Sequence, residues 1–444
     1  MMIFKRKIYE QMLRWKTEEK GRSALLIKGA RRVGKSTIVE EFAKREYRSY
    51  VLIDFANISR TIHSLFDDIS DLDYFFMRLE TETRVRLHQR ESVIIFDEVQ
   101  RLPLARQAIK YLVKDGRYDY IETGSLLTLK KNVQNIVLPS EEYRITLNPM
   151  DFEEFLWAIG KDVRAEGLRL FASMKRPLGE THRTIMRDLR LYMLIGGMPQ
   201  AVNTYLETNN MQAVDNTKRK ILDLYEDDFR KIDNTGNASR LFKAIPGQLN
   251  SNASRYKLST ATESRPTPYT DAVIADMEDS MVVTLAYHAN DPNIGFGLTR
   301  DIHRYKMYIV DTGLFITQAF RDKAFTENII YNKLLSDKLE ANLGYVYENL
   351  VAQMIHATGH ELYYYTFPTE SGKHNYEIDF LLSQGNKIVP IEVKSSGYRS
   401  HKSLDVFCAK FSSRVGNKIL LYTRDYHKDG DTVCLPVYFT PFLF

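Results

Sequence analysis

The chain predicts an α/β fold that opens with a parallel sheet carrying helices on both faces, continues through a helical section and ends in a second α/β region. Three observations carry this expectation. Short apolar runs alternate with helical periodicity as far as residue 160, the texture turns helix-rich from Phe152 to Ile232, and strand patterns return from Lys306 onward. At 444 residues the chain can bury several separate cores. The division expected is 1–160, 161–237, 238–305 and 306–444.

The first strand is the apolar run 24–27, and Ile38, Val39, Phe42 and Ala43 recur at helical spacing soon after it. Between them stands Gly29-Ala30-Arg31-Arg32-Val33-Gly34-Lys35-Ser36, a complete GxxxxGK[ST] pattern in its strand-loop-helix context. In such a loop backbone N–H groups approach phosphates, the helix N-terminus adds positive potential, the lysine reaches the β and γ phosphates, and the hydroxyl ligates magnesium. Residues Gly29 to Ser36, with Thr37, are therefore expected to bind ATP, with Ser36 on Mg2+. The bland reading, a glycine-containing turn before a helix, requires the match, its context and the next motif all to be coincidence.

Residues 50–55 read as a second strand and 93–96 as a third, which ends in Asp97-Glu98. Two carboxylates at the end of a buried strand suit hydrolysis: Asp97 holds the metal and Glu98 polarises the attacking water. Residues 104–113 form a helix. The run beginning at Tyr120 ends in small hydroxyl residues, and Thr123 or Ser125 is placed to sense the γ phosphate, although a strand-ending turn explains them nearly as well. A late strand at 144–147 precedes Pro149.

The helix-rich stretch is broken by Gly196-Gly197-Met198-Pro199, which needs no role beyond a connector. Between 238 and 293 a polar turn cluster at 250–254, a helix opening at Thr267-Pro268 and a strand at 281–285 follow in the order of a winged helix. That module would lay its second helix in a DNA major groove, with Arg255, Lys257, Arg265, Arg300, Arg304 and Lys306 nearby. Asp271, Asp276, Glu278 and Asp279 crowd the same helix and repel phosphates. A module that binds protein is the equal alternative.

Beyond residue 306, strands are expected at 307–310, 362–366, 376–382, 387–393 and 418–422, and helices at 344–355 and 404–411. Alternation along a strand puts Glu392 and Lys394 on one face, and a neighbouring strand can present Asp379 to the same space. Two carboxylates and a lysine suit metal-dependent phosphodiester hydrolysis, with Glu348 completing the metal shell. A hairpin with a cross-strand salt bridge is the structural alternative.

Hydrophobic residues make up 44% of the chain, which fits globular domains rather than disorder. Cys408 and Cys434 are the two cysteines, too few for a disulfide framework and consistent with the cytoplasm. Charged residues interrupt every apolar stretch from Met1 to Trp15, against a secretory segment, and no window approaches a membrane span. The net charge of +5 permits nucleic acid without demanding it. Oligomeric state is not set by the sequence, and a homo-oligomer is compatible with it.

Taken together, the phosphate loop, 95–100, Thr123-Gly124-Ser125, 147–155, 196–199, 308–314, 347–351, 377–380 and 391–394 resemble a family of prokaryotic AAA-type ATPases. The resemblance implies a P-loop domain, a helical and winged-helix section, and a C-terminal domain of unknown function similar to the PD-(D/E)XK endonuclease fold. In that fold Asp379, Glu392 and Lys394 match the acidic and lysine positions. It also implies an arginine acting across a subunit boundary on the γ phosphate. Arg144 is the matching position, with Arg101 as competitor and Glu141 and Glu142 beside Arg144 weakening the match.

Overall fold

The computed structural model describes residues 2–124, 140–251, 253–262, 268–292, 295–324, 330–331, 334, 343–396 and 400–444. The expected positions Ser125 and Arg265 lie outside the described residues. The chain divides into two compact units, Met1–Asn148 with Asp279–Met281, and Pro149–Glu278 with Val282–Phe444.

In the first unit, β1 (Ala24–Lys28), β2 (Ser49–Asp54), β3 (Ser92–Asp97), β4 (Asp119–Gly124) and β5 (Glu142–Thr146) form one sheet in the order β2-β3-β4-β1-β5. Every neighbouring pair is parallel. Parallel neighbours need long crossovers; the helices are α1 (Ile8–Glu19), α2 (Lys35–Glu46), α3 (Arg60–His63), α4 (Leu72–Thr83) and α5 (Pro103–Asp115). The inner strands β3 and β4 are buried throughout; β3 accordingly reads as an apolar run, whereas β4 carries Asp119, Glu122 and Thr123 into the interior. Pro103 opens α5, where a missing N–H does no harm, and the helix buries Ala105, Ala108, Ile109 and Leu112. Phe96, the residue before Asp97, packs edge-on against Phe55 and Phe66 with centroids 5.6 Å away in each case. Core packing thus fixes the end of the acid-bearing strand.

The second unit begins with helices, among them Glu180–Ile195, Pro199–Thr208, Met211–Ile232 and Asn237–Asn250. It continues as β6 (Val283–Ala289), β7 (Arg300–Ile309), β8 (Leu362–Pro368), β9 (Asn375–Gln384), β10 (Lys387–Val393), β11 (Lys418–Tyr422), β12 (His427–Asp429) and β13 (Thr432–Pro436). All eight lie in one mixed sheet of order β12-β13-β11-β10-β9-β8-β6-β7. The strand read at 281–285 as part of a winged helix runs into β6, which pairs antiparallel with β7 and in parallel with β8 and so belongs to the large sheet. The position 305–306, expected as a boundary, lies within β7, and the compact units part after Asn148.

The turn at Gly196-Gly197, expected to be a mere connector, is pinned by a buried polar network. Asp311 accepts hydrogen bonds from the backbone N–H of Gly197 at 2.5 Å and of Leu314 at 2.8 Å, capping the helix Thr312–Ala319. Lys218, fully buried, donates to Leu194 O at 2.5 Å, Gly313 O at 3.1 Å and Tyr331 Oη at 2.5 Å. Asp215 accepts from Thr317 and Arg219 at 2.8 and 2.7 Å. Helix Gly344–Ala357 joins through Gln353, which accepts from Thr312 N at 2.8 Å and donates to Tyr192 Oη at 2.7 Å. A network with each member partnered holds one arrangement of these helices against others.

Burial pushes the Lys218 ammonium down to about 8 from the ordinary 10.5, with Asp215 and Asp311 opposing the shift. A lysine lowered on folding opposes folding while it is charged below its folded-state value. That penalty fades as pH climbs toward the unfolded value. Relative to Lys218→Met, the parent chain should therefore gain on the order of 1–3 kcal/mol of stability between roughly pH 7 and pH 10. Denaturant unfolding at each pH measures this, and parallel pH profiles for the two chains would contradict it.

Candidate nucleotide site and C-terminal acidic cluster

The phosphate loop leaves the carboxyl end of β1 and enters α2 at Lys35. Gly34 takes φ of 97°, in the left-handed region. At Gly29 a Cβ would stand 2.4 Å from Leu147 O, so only glycine lets the loop pass the chain end of β5. Lys35 is buried, and its ammonium donates to Gly29 O at 2.9 Å and Ala30 O at 3.0 Å. Burial lowers its pKa, opposed by the Glu98 and Asp97 carboxylates. Ser36 and Thr37 stand exposed at the first turn of the helix.

Because β4 lies between β1 and β3, the tip of β4 separates loop from acids. Thr123 sits there, fully buried, and joins the two: its hydroxyl donates to Asp97 Oδ1 and accepts from the Glu98 backbone N–H at 3.3 Å. Ser36 Oγ donates to the same Asp97 Oδ1 at 2.9 Å. A hydroxyl and a carboxylate meeting at the loop mouth fit a hard cation that keeps most of its waters, so Ser36 and Asp97 are the residues that would hold Mg2+. Glu98 turns the chain with φ of 55°, and Gln100 Nε2 donates to its Oε2 at 2.5 Å. The structure thus gathers Lys35, Ser36, Asp97, Glu98 and Thr123.

Arg144 is not gathered with them. It lies on the edge strand β5 in register with Leu26, half exposed, and ion-pairs with Glu142 at 3.0 Å. Glu142 also holds Arg106 of α5 at 3.0 Å. Arg101 is exposed. Two residues to which the sequence assigns no role complete the site. Gln100 orients the Glu98 carboxylate. Arg6, buried, spans the loop and the chain after β5, donating to Val33 O at 3.1 Å and Asn148 O at 2.6 Å.

At the C-terminal cluster, β9 and β10 run antiparallel with Phe380 opposite Ile391, which brings Asp379 beside Glu392. Against β8 the register shifts, Tyr363 facing Leu381 but Tyr365 facing Ile378, so an extra residue bulges from β9 at Asp379. Asp379 Oδ2 accepts from the Val393 backbone N–H at 2.7 Å, and Lys394 pairs with Glu392 Oε1 at 2.6 Å. The expected metal shell contains an unforeseen cation. Lys306 Nζ lies 2.8 Å from Glu348 Oε1 and 2.6 Å from Glu377 Oε1, and Tyr308 donates to Glu348 at 2.6 Å. Lys306 was expected to face DNA phosphates; it is buried instead, because β7 carries it into the sheet. Burial and then Glu348 push the Asp379 carboxyl up to about 8. Among the described residues no group of three or more His, Cys, Asp or Glu is arranged to hold a metal ion. As it stands, the cluster does not fit a divalent ion.

The other residues expected on a nucleic-acid face are spread out. Arg255 and Lys257 are exposed, Arg300 lies over the Tyr287 ring at 5.1 Å, and Arg304 donates to Thr366 at 2.9 Å. No helix among the described residues is long and apolar enough to cross a membrane.

A parallel sheet with a glycine-rich loop at its first strand and Asp-Glu at its third defines a P-loop nucleotide-binding domain. Residues 21–156 match the AAA domain family, and the chain accordingly carries a P-loop AAA ATPase domain. Residues 186–324 and 343–439 match two domains of unknown function, DUF8612 and DUF4143. No curated protein matches the chain by sequence. Among solved structures, a Walker-type ATPase of Pyrococcus abyssi aligns at 16% identity over 71% of this chain and 96% of its own, with a TM-score of 0.43. Orc1 of Aeropyrum pernix in complex with DNA aligns at 12% identity over 76% and 93%, with a TM-score of 0.28. RuvB of Thermotoga maritima aligns at 15% over 63% and 87%, with a TM-score of 0.27. Likeness at this level says nothing further about the chain.

Arg6 holds the phosphate loop through the Val33 carbonyl. Arg6→Ala should raise KM for ATP by about tenfold, the scale of one lost charge-assisted hydrogen bond, with kcat much less changed. Steady-state kinetics decide it, and an unchanged KM would remove Arg6 from the site.

Proposed function

We propose that the protein is an ATP-hydrolysing switch whose nucleotide state is communicated to a macromolecular partner by its C-terminal unit. The observation that carries the hydrolytic half is the Ser36–Asp97–Thr123 cluster, with Glu98 oriented beside it by Gln100. Lys35 and the loop N–H groups bind and neutralise the triphosphate. Ser36 and Asp97 would hold Mg2+, which supplies further charge neutralisation at the β and γ oxygens. Glu98 takes the proton from the attacking water, and Thr123 keeps its backbone and Asp97 in register while it does so. Arg144 is proposed to act in trans, since within its own chain it pairs with Glu142.

For the partner, the geometry favours protein over nucleic acid. Lys306 is buried and Arg304 is engaged by Thr366, while Asp271 and Asp279 remain near the candidate recognition helix. The second reading, a DNA-directed metal-dependent nuclease, is supported by the meeting of Asp379, Glu392 and Lys394 at neighbouring strand ends. Fold resemblance alone does not supply that activity.

Lys35→Ala should abolish ATP binding in a fluorescent-nucleotide titration. Glu98→Gln should bind ATP nearly as the parent does and lower kcat by about 10²-fold or more, because the amide keeps the shape and loses the charge. Equal ATP affinity in Lys35→Ala, or full turnover in Glu98→Gln, would refute the assignment.

The two partner readings separate in a salt titration of DNA binding by the full chain, followed by a cleavage assay with manganese. A steep fall in affinity with salt marks phosphate contacts, and cleavage lost in Asp379→Ala marks the nuclease. No DNA binding at low salt leaves the protein-directed switch.

A further inference from the structure

The C-terminal cluster draws on four carboxylates, those of Glu348 on the helix Gly344–Ala357, Glu377 and Asp379 on β9, and Glu392 on β10. Each already has one oxygen committed to this chain. Lys306 takes Glu348 Oε1 and Glu377 Oε1, the Val393 N–H takes Asp379 Oδ2, and Lys394 takes Glu392 Oε1. Lys306 is itself 4% exposed, on β7, a strand that reaches the cluster only through the sheet. Tyr308, two residues along the same face of β7, adds a donor to Glu348 Oε1.

We propose that Lys306 is the resident cation of this cluster: its ammonium occupies the space between Glu348 and Glu377 that a divalent ion would need, and closes the site to metal. A buried ammonium between two carboxylates at 2.8 and 2.6 Å is a stable arrangement because each charge meets its opposite and each donor has an acceptor. Removing one partner of such a set leaves uncompensated buried charge. Without Lys306 the Glu348 and Glu377 carboxylates face one another across the vacated space, and two carboxylates completed by waters suffice for Mn2+ or Mg2+. The C-terminal unit is on this view a metal-independent platform with a latent cation site, masked by one side chain. The proposal does not rest on the ATPase reading, and ATP turnover of the Lys306 variants made with Asp97 intact, measured separately, keeps the two distinguishable.

The test is a Mn2+ titration of the full chain without nucleotide, read by the paramagnetic resonance of free Mn2+, in an Asp97→Asn background that silences the phosphate-loop site. The Asp97→Asn chain and its Lys306→Arg derivative should bind no Mn2+. Lys306→Met should gain one site per chain, and its Tm, lowered in chelator by several degrees, should recover on adding Mn2+. Lys306→Met combined with Glu348→Gln removes one acid with the cation; it should fold in chelator and bind none. If Lys306→Met alone does not fold, the double variant decides, folding without Mn2+ supporting the assignment. Three results overturn it: Mn2+ binding with Lys306 intact that disappears in Asp379→Asn, a folded Lys306→Met that binds no Mn2+, or a double variant that binds Mn2+ or cannot fold.

Discussion

A single carboxylate, that of Asp97, ties the nucleotide site together. It accepts from Ser36 at the start of α2 and from Thr123 at the end of β4, so helix and two strands meet at one oxygen. A carboxylate 7% exposed is tolerable only with such partners. The surrounding architecture serves this arrangement. Inserting β4 between β1 and β3 brings Thr123 to the right place, the Phe55–Phe66–Phe96 cluster fixes the strand end that carries the acid, and Arg6 with Gly29 sets the loop against the chain after β5.

The second unit solves the same problem of buried charge on a larger scale. Asp215, Lys218 and Asp311 are each at most 1% exposed, yet bind backbone and side-chain partners more than ninety residues away in sequence. Apolar packing would hold helices together with less directional demand. What the polar network adds is uniqueness: a displaced turn at Gly196-Gly197 takes the Gly197 N–H away from Asp311 Oδ2, so the helices Glu180–Ile195, Met211–Ile232 and Thr312–Ala319 have one arrangement that satisfies all members. The Gln353 bonds extend this to the helix beneath the C-terminal sheet.

Local chemistry was legible in the sequence, and long-range pairing was not. The strand-loop-helix of 24–46 and the Asp97-Glu98 strand end follow from period and motif, and alternation placed Glu392 and Lys394 together, as their ion pair shows. Arg6 carries no such pattern, because it acts on a backbone that only the fold brings near, and the role of Gln100 depends on the left-handed turn at Glu98. Lys306 misled for the same reason. In sequence it continues a basic series after Arg300 and Arg304, and nothing local says that β7 joins β6 in a sheet that also holds β9. The bulge at Asp379 depends on pairing with β8 and is equally invisible to alternation. The winged-helix reading met the same obstacle: its strand at 281–285 runs into β6, whose two edges are taken by β7 and β8.

The ends of the eight-stranded sheet show how such a surface stays solitary. An exposed strand edge offers a row of unpaired amides and carbonyls to any other extended chain, and wide sheets are the most inviting templates. Here β12 is three residues long, His427-Lys428-Asp429, all exposed, too short and too polar to seed further pairing. At the opposite end β7 begins with Arg300, Asp301, His303 and Arg304 at or near the surface, and where it turns apolar the Tyr256 N–H takes the Tyr305 carbonyl at 2.7 Å. The same basic residues that in sequence suggest a nucleic-acid surface thus act in the fold as gatekeepers, guarding the sheet against aggregation.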